Sequence, residues 1–153
     1  MSEQRMQHRH HFRDNPRDRQ VDNSPVSEIK RSISSYSRLE DLPSELLVNM
    51  CDKMGNYLKQ IGLKTNQIRR FLDSVRKLDN QFSRGKNFDG EQVILLKPRL
   101  AYAAGRQRDK VGPFMEVLSP AIDRATNSYK SFKKLLTFIE GIVAYHKYYG
   151  GGD

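Results

Sequence analysis

Apolar residues recur at helical spacing along most of this chain, and two runs set the frame. From Thr65 to about Phe82, Ile68, Phe71, Leu72, Val75, Leu78 and Phe82 follow the i, i+3, i+4, i+7 rule of a helix with one buried face. From about Asn127 to Tyr148, Phe132, Leu135, Leu136, Ile139, Ile142, Val143 and His146 line one side, and Phe138 and Tyr145 add a second apolar stripe. A helix patterned this way is covered on more than one face, as at the centre of a bundle or at a subunit contact. It is expected to be the longest. A third run, Leu46, Leu47, Met50, Met54 and Leu58, follows Leu42-Pro43-Ser44, with Ser44 placed as an N-cap. Ile61-Gly62-Leu63 ends it, since glycine is favoured just past a helix end, and Thr65 is placed to cap the next helix.

The densest packing material and the strongest basic cluster coincide in Ile94–Arg106, ILLKPRLAYAAGR. Leu95, Leu96, Leu100, Ala101, Ala103, Ala104 and Gly105 are candidates for contact with neighbouring helices, while Lys97, Arg99, Arg106 and Arg108 carry charge outward. The small residues suit a tight helix crossing. Pro98 lacks an amide hydrogen, so it stands most naturally at the first position of a helix through Tyr102 to about Arg108. A longer, kinked helix beginning near Glu91 is the other reading. Val111-Gly112-Pro113 predicts a break with a short helix opening at Pro113, and Ser119-Pro120 predicts a further start carrying Ile122 and Ala125 inward. Ser83 to Gly90 reads as a loop, and Gly150-Gly151-Gly152 closes the last helix. No stretch sustains period-two alternation, although Val93 to Leu96 admits a short extended piece. The fold class is all-α, a bundle of about five helices over residues 41–150.

Residues 1 to about 38, extended to 40 as a segment boundary, are poor in large apolar groups and interrupted by Pro16 and Pro25, the composition of a disordered basic tail. His8-Arg9-His10-His11 within it reads as a solvated basic tract, and no metal or cofactor site is drawn from it. Of the formal net charge of +9, residues 1–38 carry +3 and the remaining residues +6, so the folded part is itself basic. Such a distribution fits a polyanion-binding surface and also a merely soluble basic protein. On the second run, Arg70 and Lys77 project opposite the apolar face and Arg69 and Arg76 flank it, two basic rows each seven residues apart. A solvated face with Arg–Asp pairs worth a few tenths of a kcal/mol accounts for the rows as well as an RNA-facing role does.

Catalytic chemistry lacks candidates. No HExxH, GxSxG, phosphate-binding glycine loop or zinc-type Cys/His spacing occurs, and His146 has no second histidine in the folded part to work with. The single cysteine, Cys51, sits in an apolar helical pattern and is expected as a reduced, buried thiol. No apolar run reaches the length of a membrane span and the N-terminus is polar, so a cytoplasmic, non-enzymatic protein is expected. Few aromatics stand in basic loops, which argues against a stacking-based reader of single strands. What remains is a binder of phosphate backbones, or a helical adaptor without nucleic acid.

Three ordered motifs, KTNQIRRFLDSV at Lys64–Val75, LLKPRLAYAAGR at Leu95–Arg106 and FKKLLTFIEGIVAYHKYYGG at Phe132–Gly151, resemble the small helical subunit of type III-A CRISPR interference complexes, the Csm complexes. The resemblance covers most of Leu46 to Gly151 and leaves residues 1–40 without a role. It implies a non-catalytic subunit, present in several copies, stacked as a short filament along the duplex of guide RNA and target RNA. Its expected partners are that duplex, neighbouring copies of itself, the guide-holding backbone subunits and the large signature subunit. By the resemblance the RNA-facing role falls on Arg69 and Arg70 in the first motif and on Lys97, Arg99 and Arg106 in the second. Lys64, Lys77 and Arg108 join them from charge alone. The alternative is a basic adaptor or general nucleic-acid-binding bundle with no CRISPR role.

Overall fold

The computed structural model describes residues 24–84 and 87–152, with Arg106 described in its backbone only. Seven α-helices and one 3-10 turn account for most of the described residues: α1 Val26–Ser34, the 3-10 turn Leu39–Asp41, α2 Ser44–Gln60, α3 Thr65–Ser83, α4 Gly90–Ile94, α5 Leu96–Arg106, α6 Arg108–Asp123 and α7 Tyr129–Tyr148. Among these residues there is no strand, as the patterning predicts. Among the described residues no helix is long and apolar enough to cross a membrane.

The 20-residue α7 is the longest helix and packs against α2, α3, α6 and the 3-10 turn. Phe132, Leu135, Phe138, Ile139 and Ile142 are all buried, so both apolar stripes are covered. Its closest neighbour is α2, and glycine makes the approach feasible. A Cβ on Gly55 would lie 2.6 Å from the backbone nitrogen of His146, and one on Gly141 would collide with Cys51 Sγ. The tight crossing expected of Ala101, Ala103, Ala104 and Gly105 is therefore made elsewhere. Among the described side chains of α5, Leu96, Leu100 and Ala104 are buried, four residues apart on one face, while Ala101 and Gly105 are exposed and Gly105 has open space beside it. Leu95 is half exposed, because it is the joint between α4 and α5 and its side chain leaves the buried row.

The prolines behave differently from expectation. Pro98 is the third residue of α5, still within the first turn, where an amide hydrogen has no intrahelical partner to lose. With the α4 cap at Asp89, whose carboxylate accepts from Glu91 N–H at 3.0 Å, the arrangement follows the kinked longer helix, and Val93–Leu96 is not extended. Neither Gly112-Pro113 nor Ser119-Pro120 breaks α6, which runs through both prolines. Val111, Phe114, Val117, Leu118, Ala121 and Ile122 form one continuous buried face across them, and that burial outweighs the backbone hydrogen bonds each ring removes. Ser44 and Thr65 are first helical residues rather than caps, preceded by extended Pro43 and Lys64.

The tail boundary also moves. Val26, Ile29 and Ile33 of α1 and Leu39 are buried, with α1 lying on α6. Arg124 fastens the segment that follows, its Nε donating to the carbonyl oxygen of Tyr36 at 2.8 Å. Three apolar groups at i, i+3 and i+7, diluted among serines and charges, suffice because α6 has an apolar face to receive them, and Leu39 follows on the 3-10 turn packed against α7. Residues 24–40 therefore belong to the folded unit. The His8–His11 cluster lies outside the described residues.

Candidate nucleic-acid interface

Helix α3 divides its basic residues between two neighbours. Arg76 turns toward α7, donating from Nη2 to Glu140 at 3.0 Å, and reaches Asp73 at 3.9 Å. Its row-mate Arg69 is exposed on the same side. The other row faces α5. Lys77 of α3 and Arg99 of α5 line one small polar groove together with Ser74, Leu78, Gln81 and Gln92. Arg70, Ser74, Lys77 and Gln81 repeat at i, i+4, i+7 and i+11, so the groove continues a straight polar face of α3. The pairing of Lys77 with Arg99 brings two like charges from separate helices to one place. Neither forms an ion pair among the described residues, which leaves their charge available to an anion.

The other expected positions scatter. Lys97 is partly buried and its Nζ lies 2.6 Å from Asp123, so its charge is already matched across the α5–α6 pair. Arg108 lines a different, larger groove between α1, α5 and α6, together with Lys30, Met115 and Glu116. Lys64 precedes α3 at the far end of the bundle, beside the C-terminal glycines. The Arg106 side chain lies outside the described residues. Of the eight residues chosen from sequence, the structure brings Lys77 and Arg99 into one groove and aligns Arg70 on the same face of α3. Ser74, Gln81 and Gln92 were missed, though the four- and three-residue spacing from Arg70 could have found the first two.

The groups with catalytic reputations are built into the core. His146 is fully buried with both ring nitrogens engaged. Cys51 donates its thiol to the carbonyl oxygen of Phe138 at 3.4 Å, and burial pushes its pKa up to about 12, far from a nucleophilic thiolate. Among the described residues no three His, Cys, Asp or Glu side chains gather where they could hold a metal ion. Glu40 accepts from Ser128 at 2.8 Å, from Asn127 at 3.2 Å and from Ser131 at 3.3 Å, hydrogen bonds that hold its pKa below the usual value. These contacts fasten the 3-10 turn to the start of α7.

Fold and surface together define a class, the small all-helical proteins that present a basic face on a rigid frame. Residues 41–152 match the Csm2 type III-A family. A Streptococcus thermophilus protein described as "CRISPR system Cms protein Csm2" is 33% identical over 109 residues, spanning 67% of this chain and 82% of the relative. The chain belongs to the Csm2 type III-A family, and is a small structural subunit of the type III-A CRISPR Csm complex. Helix α1 lies ahead of the matched residues.

Proposed function

We propose that this chain is a non-catalytic cytoplasmic subunit that stacks in several copies along the guide RNA–target RNA duplex and holds its phosphate backbone. The observation that carries the reading is the Lys77–Arg99 groove, where two cations without ion-pair partners among the described residues converge from α3 and α5 on a polar strip continued by Arg70. Phosphates are recognised by such charges without any base-specific pocket, and in guided complexes base pairing reads the sequence while protein reads duplex geometry. Arg69 extends the basic surface around α3. Lys97 and Arg108 contribute at its margins, and Arg106 is carried by its motif alone. The guide-holding subunits, the large signature subunit and further copies of this chain are its protein partners.

The test is reconstitution. Co-expression with the other complex subunits and guide RNA, followed by purification through a different subunit and mass measurement, is expected to recover more than one copy of this chain per complex. Neutralising Arg70, Lys77 and Arg99 together is expected to reduce target-RNA retention and flatten its salt dependence. Retention unchanged at both low and high salt would leave only the adaptor reading.

A further inference from the structure

We propose that the end of the bundle where α2 and α7 finish is a stacking site for an unpaired ribonucleotide, with the Tyr148 ring as platform and Lys59, Lys64 and Lys147 as phosphate contacts. Tyr148 is 78% exposed, a large ring left in water at the end of a well-packed helix. Its ring meets those of its neighbours at steep angles: Tyr149 at 5.1 Å and 76°, Tyr145 at 6.4 Å and 83°. Neither neighbour stacks parallel to it, so neither takes the place of a stacked base. Both neighbours are themselves fixed. The Tyr149 hydroxyl donates to the Asp52 carboxylate on α2, and Tyr145 packs where Gly55 lets α2 come close.

Three lysines from three segments lie at this end of the bundle. Lys147 precedes Tyr148 in the chain, and Lys59 at the end of α2 reaches Gly150, its Cε 3.9 Å from where a Cβ there would stand. Lys64 precedes Thr65, whose amide donates to the carbonyl oxygen of Gly152 at 2.9 Å. All three lysines are exposed and unpaired among the described residues, while the nearby Asp52 is occupied by Tyr149. A protein-docking centre built on tyrosine is depleted in lysine. An exposed ring at a bundle end that also carries exposed cations offers what an unpaired nucleotide requires, a face for its base and charge for its phosphates. Few aromatics stand in the basic loops, and the stacking ring stands instead on a helix end that the fold brings beside the α2–α3 turn.

The inference rests on the RNA-contacting reading, and the test separates the two. Binding of the full chain is measured at low salt to a blunt RNA duplex and to the same duplex carrying one bulged 2-aminopurine. The wild-type chain is expected to hold the bulged RNA about tenfold more tightly and to quench its fluorescence. Tyr148→Ala is expected to bring the affinity ratio near one and abolish the quench, and Tyr148→Phe, which keeps the ring, to restore both. Equal affinity for the two RNAs, or a ratio untouched by Tyr148→Ala, overturns the inference and leaves duplex binding standing. Failure of the wild-type chain to hold either RNA overturns both. Loss of co-purification with the other subunits in Tyr148→Ala, with the RNA ratio unaffected, assigns the ring to a protein contact and overturns the inference.

Discussion

His146 Nε2 lies 2.7 Å from the carbonyl oxygen of Leu63, and its Nδ1 lies 3.3 Å from Thr65 Oγ1. A carbonyl can only accept, so Nε2 carries the proton and Nδ1 accepts from the threonine hydroxyl. One neutral imidazole thus ties the end of α7 to the turn between α2 and α3. Gly151 closes over the same ring so tightly that a Cβ there would collide with it.

This arrangement makes stability depend on pH. Burial lowers the His146 pKa from its ordinary 6.5, the dominant cause over the opposing hydrogen bond to Leu63. The unfolded chain then binds a proton more readily than the folded one, so stability is fully present above about pH 6.5 and declines as pH falls below it. Glu40, whose pKa is lowered chiefly by its hydrogen bond to Ser128, adds a separate loss as pH falls through and below 4.5. Thermal unfolding followed from pH 8 to pH 5 is expected to show the midpoint falling over the histidine range. A flat midpoint there would contradict the neutral, doubly bonded imidazole.

The α2–α7 crossing predicts a coupled pair. Gly141→Ala places a methyl group against Cys51 Sγ and is expected to cost about 1–3 kcal/mol in urea unfolding. Cys51→Ala removes the obstructing sulfur, so the double variant is expected to lose less than the sum of the single losses. Strict additivity would show that the two positions do not touch.

Helix α1 predicts that residues ahead of the family match still stabilise the fold. Ile33 is fully buried, and Ile33→Ala is expected to destabilise by about 2–5 kcal/mol, read as a lower denaturant midpoint. An unchanged midpoint would return α1 to the status of a detached tail.

Among the basic residues, ion pairing predicts a ranking. Arg99→Ala and Lys77→Ala are each expected to lower the slope of log affinity against log salt for duplex RNA by about one, because each removes one phosphate contact. Lys97→Ala, whose ammonium is already matched by Asp123, is expected to change the slope less. Equal slopes for all three variants would contradict the Lys77–Arg99 groove as the centre of contact.

The helical periods of α3 and α7 and their buried faces were legible because each repeats over about four turns, and a pattern that long overdetermines its geometry. Local punctuation misled where it met a continuous apolar face. Gly112-Pro113 and Ser119-Pro120 look like two breaks, yet both lie inside α6, since a proline's lost hydrogen bond is small against a face buried from Val111 to Ile122. The α1 segment failed in the opposite direction. Its few apolar residues are too sparse to announce a helix, and they fold because α6 waits for them. At the candidate site, the Arg70 and Lys77 row could be read from spacing, but Lys97 and Arg99 are two residues apart and look equivalent in sequence.

By itself the sequence determined an all-helical, basic chain with α3 and α7 as its frame, and through three ordered motifs its family, because periodicity and motif order are local properties of the string. Only the tertiary structure decided which charges are spent and which remain. Lys97 is neutralised by Asp123 from α6, Arg76 by Glu140 from α7, Lys77 and Arg99 are left lining one groove, and Tyr148 is left exposed at an end where lysines from separate segments also lie. Each of these outcomes depends on which helices lie side by side, and packing, rather than residue type, sets that.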